Sequence, residues 1–218
     1  MPIVQPYKEE PRYPGSTKIA GMIDKPFLVK WANKLGKKGI DVDEYTETTA
    51  RLGTLIHNTV EVFINEGLTK MEEYLNGLFM SYTVNELHCA LVGVNKFIEW
   101  FSTNDVQPIF TENKFISENY KYCGVLDFYC VLNGKFTIVD FKTSKSITNE
   151  QLLQLSSYQP LIEENGLRVD QVMILNIPRD KNIEFSSKIM LKEEQQLYFE
   201  IFKRLLDVYY IKYDLDWE

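Results

Sequence analysis

The chain has 218 residues, 44% of them hydrophobic, and a net charge of −7, which is the composition of a globular protein with one domain or a small pair. The acidic balance argues against a histone-like or nonspecific polybasic binder, although it is compatible with proteins whose carboxylates hold metal ions. Three cysteines without a CxxC pair fit a reducing compartment, and the N-terminus lacks the pattern of a signal peptide. Since every apolar run is also shorter than a membrane span, we expect a cytoplasmic protein with no membrane partner.

The first part of the chain has the apolar spacing of helices. Four prolines predict an extended arm over residues 1 to about 16. Beyond this arm, apolar residues recur at helical spacing, with Pro26 suited to a first helical turn and Gly67 suited to a helix stop. The predicted helices cover residues 26–36, 47–66, 70–80 and 84–102.

The composition changes to that of strands near residue 108. Three segments are rich in β-branched and aromatic residues, and the last two flank Asn133 and Gly134, the strongest short signal for a type I′ hairpin. These segments are residues 108–117, 120–132 and 135–143. They predict an antiparallel meander of three strands.

A helix, a strand and a second helix are predicted after the meander. Thr148 and Gln151 form a capping box that opens a helix, and Pro160 should kink this helix or end it early. A short apolar strand follows at 171–177, and an amphipathic helix follows at about 191–213.

The order of these elements predicts the fold class. We expect a mixed α/β fold, in which a central mixed sheet with an antiparallel meander is flanked by helices. The predicted organisation is a single domain over residues 1–218. Its predicted parts are a mainly helical N-terminal part at 1–107, a sheet core at 108–178 and a C-terminal helical part at 179–218.

Two aspartates meet across the predicted hairpin. Counting outward from the Asn-Gly turn places Asp127 opposite Asp140, in a closer pair without mutual backbone hydrogen bonds. Lys142 lies two residues beyond Asp140 and therefore on the same face. Facing carboxylates repel each other unless a cation lies between them, and both aspartates follow apolar strand residues rather than turn residues. Glu112, in the preceding strand-like segment, is the candidate third acid.

This group of side chains favours a metal site. Carboxylate oxygens suit a hard cation such as Mg²⁺ or Mn²⁺. The alternative is an exposed acidic edge with Lys142 as a salt-bridge partner. The hairpin register, the lysine on the same face and the apolar context together favour the metal site over that alternative.

Five short motifs resemble a known family. They are RxGxxxH at 51–57, Glu112, GxxD at 124–127, DFKT at 140–143 and QLxxY at 154–158. In this order they resemble the nuclease core of the PD-(D/E)XK superfamily, specifically its RecB-like branch. The segment YPGSTKIAGMIDKPFLVKWA is similar to phage-type and mitochondrial-maintenance-type exonucleases of that branch. The resemblance implies a restriction-endonuclease-like core, and because no cysteine follows Cys130, we expect no iron–sulfur cluster.

The resemblance also implies catalytic roles. One or two Mg²⁺ or Mn²⁺ ions would be held against a scissile phosphate, and Lys142 would position the attacking water and help to deprotonate it. The implied metal ligands are Asp127, Asp140, Glu112, His57 and the backbone carbonyl of Phe141. His57 could instead contact phosphate, and a histidine on an apolar helix face is otherwise most simply a satisfied core residue.

A basic segment near the N-terminus is the candidate DNA track. Residues 18–38 contain six lysines and one acid, and two of the lysines share a helix face near an aromatic side chain. The predicted DNA contacts are Lys30, Lys34, Trp31, Arg51, Gln154 and Tyr158. The alternatives are a solvated helix face for the lysines and packing on the sheet for Gln154 and Tyr158.

Taken together, these features favour a metal-dependent DNA nuclease in replication, recombination or repair. The leading interpretation is an exonuclease that acts on DNA ends or single strands. If a phage encodes it, the enzyme would act in the host cytoplasm. A catalytically silent nuclease-fold protein that binds DNA or acts as an inhibitor is the main alternative. An RNase or tRNA-end enzyme is a weaker one, and protein partners and oligomeric state stay open.

Overall fold

The computed structural model describes residues 13–214, which form seven helices and a five-stranded sheet. The helices are α1 (Ser16–Ala20), α2 (Phe27–Gly36), α3 (Val42–Glu66), α4 (Leu68–Gly77), α5 (Val84–Thr103), α6 (Asn149–Glu164) and α7 (Lys192–Asp214). The strands are β1 (Val106–Ser117), β2 (Tyr122–Leu132), β3 (Lys135–Lys142), β4 (Gln171–Asn176) and β5 (Ser186–Ile189). Within the described part of the chain, no helix is long and apolar enough to cross a membrane.

Side-chain caps determine where several helices begin. The carboxylate of Asp41 accepts the backbone N–H groups of Asp43 and Glu44, both at 2.9 Å, so α3 begins at Val42 rather than at the predicted Glu47. A reciprocal capping box begins α5, and the predicted capping box begins α6. The helical N-terminal part is therefore confirmed, with an earlier start for its longest helix.

The sheet has the strand order β1-β2-β3-β4-β5, in which β3 and β4 are parallel and the other neighbours are antiparallel. The first three strands form the predicted meander. Asn133 and Gly134 have φ angles of 50° and 79°, which are the left-handed values that a type I′ turn requires. The predicted mixed α/β fold with an antiparallel meander is confirmed.

Helices cover both faces of the sheet. One hydrophobic core joins the sheet to α1, α6 and α7, and a second core joins the opposite face to α3, α4 and α5. α2 has no buried residue and packs against α3. The two cores fix the sheet between rigid layers, so the side chains at its strand ends are held in defined positions.

Some local predictions were wrong or incomplete. α6 does not end at Pro160 but continues to Glu164, because Leu161 and Ile162 are fully buried and their packing outweighs the local cost of the proline. The short strand β5 was not predicted, since its four residues show little burial and it forms only by pairing with β4. Most of the predicted N-terminal arm, residues 1–12, lies outside the described residues.

Candidate active site

The sheet opens at the predicted acidic residues. Pairing between β2 and β3 follows the predicted register but stops at Phe128 and Val139, one pair before the two aspartates would meet. The predicted register of the hairpin is thus confirmed. The predicted pairing of Asp127 with Asp140 is not, because the ladder ends before it reaches them. Carboxylates directly opposite each other on a sheet repel, which is consistent with a ladder that ends before the two aspartates pair.

The regular alternation of side chains also breaks at this level. Leu126 packs in the core with α6, whereas Phe128 packs in the opposite core with α3, although residues two apart in a regular strand share one face. In the pairing of β1 with β2, the residue pairs before and after this level place Glu112 of β1 opposite Asp127. Glu112 has a φ angle of 49°, which is unusual for a residue other than glycine. Strained backbone of this kind concentrates at functional sites.

Asp127 occupies the gap that the parting strands leave. Its Oδ2 accepts the backbone N–H of Phe141 at 2.7 Å, a group that the ladder leaves unpaired. Burial raises the pKa of Asp127, while Lys142 and the Phe141 N–H oppose this increase. The carboxylate therefore stabilises the end of β3 and also has an oxygen available for a ligand.

Asp140 and Lys142 form a buried ion pair on the predicted shared face. Lys142 Nζ lies 2.6 Å from Asp140 Oδ2, and Asp140 is only 1% exposed. Burial raises the pKa of Asp140 and Asp127 adds to this increase, while Lys142 opposes it, and the resulting pKa is about 6. Burial by itself lowers the pKa of Lys142, but Asp140 and Asp127 outweigh it and hold that pKa above its ordinary value. Lys142 is therefore protonated at neutral pH.

His57 approaches the acids from α3. Its Nδ1 lies 3.9 Å from Asp127 Oδ2, and its ring meets the Phe141 ring edge-on at 5.9 Å. Burial and, to a smaller extent, the charge of Lys142 lower the pKa of His57 to about 4, so the imidazole is neutral at pH 7. A neutral imidazole has the free electron pair that a metal ligand needs.

Glu112 completes the cluster from β1. Partial burial and the neighbouring charges of Asp127 and Glu61 together raise its pKa to about 7. One ligand atom each from His57, Glu112 and Asp127 lies within 4.8 Å of the other two. Nearby carboxylates that raise one another's pKa form a site that is most stable when a cation shares their charge.

The donor set fits a hard divalent cation. Oδ1 of Asp140 is buried and accepts no hydrogen bond from the described residues, so it is an oxygen without a donor beside a cluster of acids. The structure brings three of the predicted metal ligands together, Asp127, Glu112 and His57. Asp140 is close enough for its charge to raise the pKa of Glu112, and its Oδ2 pairs with Lys142. The backbone N–H of Phe141 donates to Asp127, so the backbone of the fifth predicted ligand lies beside this group. Carboxylate oxygens with one imidazole are a ligand set that Mn²⁺ and Mg²⁺ accept.

α6 and α1 form the wall beside this cluster. Gly124 lies where they meet β2, since a Cβ atom there would come within 3.0 Å of Leu161, Ser16 and Tyr158. On α6, the side-chain amide of Gln154 donates to the hydroxyl of Tyr158 at 2.6 Å and to the hydroxyl of Thr17 at 3.0 Å. The glycine of the GxxD motif is thus required for close packing of the wall.

The contribution of α1 to the site was not predicted from the sequence. Thr17 and Ser16 reach the site because Ser16 Oγ donates to the Cys123 carbonyl at 3.1 Å and the Cys123 N–H donates to the Pro14 carbonyl at 3.0 Å. The only available signal was the GST sequence in a segment that resembles exonucleases. Short polar residues give no other indication of a long-range contact.

The other predicted DNA contacts lie apart from the acidic cluster. Lys30 and Lys34 are exposed on α2, and the Trp31 ring packs edge-on against Tyr45 of α3 at 6.0 Å. Arg51 is engaged within the protein: it donates to the Ser81 carbonyl, lies 3.4 Å from Glu86 and covers the Tyr82 ring at 4.5 Å. Its contacts connect α3 to the turn before α5, and its side chain is about half exposed, so its role as a DNA contact stays a prediction.

The fold of the chain resembles that of a protein of known structure. No protein-family model matches the chain, and no curated protein matches it. The crystal structure of a protein from Eubacterium rectale, named as a candidate exonuclease, matches with a TM-score of 0.51 and 12% identity, over 72% of this chain and 67% of that chain. The crystal structure of SSO0001 matches with a TM-score of 0.35 and 16% identity, over 70% of each chain, which is too low to support an argument. The chain therefore shares the fold of the Eubacterium rectale protein.

Proposed function

We propose that this protein is a Mg²⁺- or Mn²⁺-dependent deoxyribonuclease of the RecB-like branch, without an iron–sulfur cluster, that degrades DNA from ends. One observation supports the proposal above all others. Carboxylates from three neighbouring strands meet beside a partly buried lysine at the point where the sheet opens, and one buried carboxylate oxygen has no donor. Hydrolysis of a phosphodiester needs this combination of cation ligands and a fixed positive charge.

The side chains of this protein have distinct proposed roles. In the reaction, a water oxygen forms a bond to phosphorus, the bond from phosphorus to one ester oxygen breaks, and one proton of the water ends on that leaving oxygen. Because Lys142 is protonated, it donates a hydrogen bond to the water or to a phosphate oxygen and stabilises the negative charge that develops. Asp140 fixes the position of Lys142 through their 2.6 Å contact.

The acids and His57 would hold the cation. Asp127 and Glu112 would supply oxygen ligands and neutral His57 a nitrogen ligand, and the buried Oδ1 of Asp140 would add a further oxygen. A divalent ion bound there would neutralise phosphate charge and lower the pKa of a water molecule. The exposed lysines of α2 would contact the DNA backbone outside the site.

The experiment is a digestion time course on 5′- and 3′-labelled single- and double-stranded oligonucleotides with Mg²⁺, Mn²⁺ or EDTA. We expect degradation with either metal and none with EDTA. Asp127→Asn and Lys142→Met should each reduce the rate by about 10²-fold or more, with thermal melting used to show that both variants are folded.

Lys188→Met is the matched control. Lys188 lies on β5 of the same sheet and pairs with Glu194 at 2.7 Å. Its removal should leave the digestion rate unchanged. Full activity in both Asp127→Asn and Lys142→Met would contradict the proposed catalytic site, and metal-independent DNA binding without any cleavage would identify a silent nuclease-fold binding protein instead. Parallel RNA substrates test the choice of DNA.

A further inference from the structure

A cavity of about 270 Å³ lies beside the acidic cluster, between β2, α1 and α6. Glu112 and Asp127 form one end, Gly124 and Tyr158 line the interior, and Thr17 and Gln154 line the α1 and α6 sides. The cavity is slightly smaller than the usual binding sites for drug-sized ligands, which measure about 300–1,000 Å³. It therefore has room for one sugar and base, and a second nucleoside does not fit.

The charges of the lining show which part of a nucleic acid suits this cavity. None of the described residues that line it is a lysine or an arginine, and two of them are acidic. A phosphate placed inside would meet carboxylates without a compensating positive side chain. The phosphate therefore belongs at the end near Lys142, and the neutral part of the nucleotide belongs in the cavity.

Three polar groups in the lining retain hydrogen-bonding capacity. The hydroxyls of Thr17 and Tyr158 each accept a hydrogen bond from the Gln154 amide, so each still has its own hydrogen to donate. The side-chain oxygen of Gln154 accepts no hydrogen bond from the described residues. Two donors and one acceptor match the mixed donors and acceptors of a sugar and base.

One wall of the cavity is firmly attached to the sheet. Residues 14–17 are joined to β2 by the backbone bridge between Gly15 and Cys123 and by the hydroxyl of Ser16. Gly124 permits this wall and α6 to approach the strand closely. A DNA strand that enters past the acidic cluster meets this wall after about one nucleoside.

We propose that this cavity binds the terminal nucleoside of a DNA strand, with its linking phosphate at the acidic cluster, so that cleavage requires a free end. The proposal rests on the proposed nuclease function and adds the part of the substrate that the site recognises. Thr17, Gln154 and Tyr158 are the residues that contact the nucleoside.

The test measures end binding separately from cleavage. Single-stranded oligonucleotides with 2-aminopurine at the 5′ end, the 3′ end or the centre are titrated with protein in Ca²⁺, which prevents turnover. We expect the fluorescence to change for one terminal position and not for the central position. Thr17→Phe fills the cavity and should abolish this change, whereas Thr69→Phe, at an exposed position on α4, should leave it intact.

Cleavage gives the second readout. With Mg²⁺, linear DNA should be degraded and circular single-stranded DNA should resist. Thr17→Phe should slow degradation of linear DNA by about 10²-fold, since misplacement of the substrate by about 1 Å has that effect. Thr17→Val, which removes one neutral hydrogen bond, should slow it by roughly 5-fold.

The outcomes separate the two proposals. Equal cleavage of circular and linear DNA, or a fluorescence change only at the centre, would overturn the terminal-nucleoside site while the nuclease function stands. A terminal fluorescence change without cleavage of any DNA would support the cavity and contradict the nuclease. Absence of a terminal change in the wild-type protein would overturn the cavity whatever the cleavage result.

Discussion

Substitution of Gly124 by alanine tests the packing of the active-site wall. The added Cβ would lie 3.0 Å from Leu161 Cδ2, Ser16 Oγ and Tyr158 Cε1 at once. These atoms belong to α1 and α6, so no single side-chain rotation relieves all three contacts. Overpacking of this kind costs about 1–3 kcal/mol, which for a chain of this length lowers the melting temperature by roughly 2–12 °C.

The same substitution should reduce activity below the melting range. Displacement of Tyr158 and Ser16 alters the cavity wall, so digestion of DNA ends at 25 °C should slow even though the protein is folded. Unfolding is followed by circular dichroism and activity by initial rates of digestion. Both are compared with Gly77→Ala at the end of α4, where a Cβ meets nothing within 4 Å and alanine should be neutral or stabilise by up to about 1 kcal/mol. A Gly124→Ala protein with wild-type melting temperature and rate would refute the close approach of α1 and α6.

Two further predictions concern charge. Since the folded protein raises the pKa of Asp140 from 3.8 to about 6, ionisation favours the unfolded chain, and stability in EDTA should fall as pH rises from about 4 to 6. Asp140→Asn should remove this part of the fall in thermal melts, and an unchanged pH profile would contradict it. Replacing Lys30 and Lys34 by glutamine should weaken DNA binding and reduce the slope of log affinity against log salt concentration by about 1.4–1.8. Fluorescence anisotropy measures this slope, and an unchanged slope would show that α2 does not contact DNA.

The sequence was sufficient where local chemistry decides conformation. Asn-Gly at 133–134 predicted the turn because few other residues accept two consecutive left-handed φ angles, and the turn then determined the register of β2 and β3. Thr148 and Gln151 predicted the start of α6 in the same way. The shared face of Asp140 and Lys142 followed directly from the strand period of two.

Other features needed the surroundings of each residue. Pro160 did not end α6, because burial of the two residues after it outweighed a local preference. Arg51 is predicted as a DNA contact by its motif, and the structure adds that its half-exposed side chain also contacts Ser81, Glu86 and Tyr82. A sequence motif shows which residue stands at a position, but it does not show which other groups in the folded protein that residue contacts.

The sequence by itself determined the order of the main elements, although not α1 or β5, together with the hairpin and the residues of the acidic cluster, because these depend on turn chemistry and side-chain periodicity. Only the tertiary structure decided that the ladder stops at Phe128, that Glu112 takes a left-handed conformation, and that α1 closes a cavity beside the acids. Each of these results from contacts between segments far apart in the chain. Repulsion between carboxylates and close packing at Gly124 act only once the strands and helices have met.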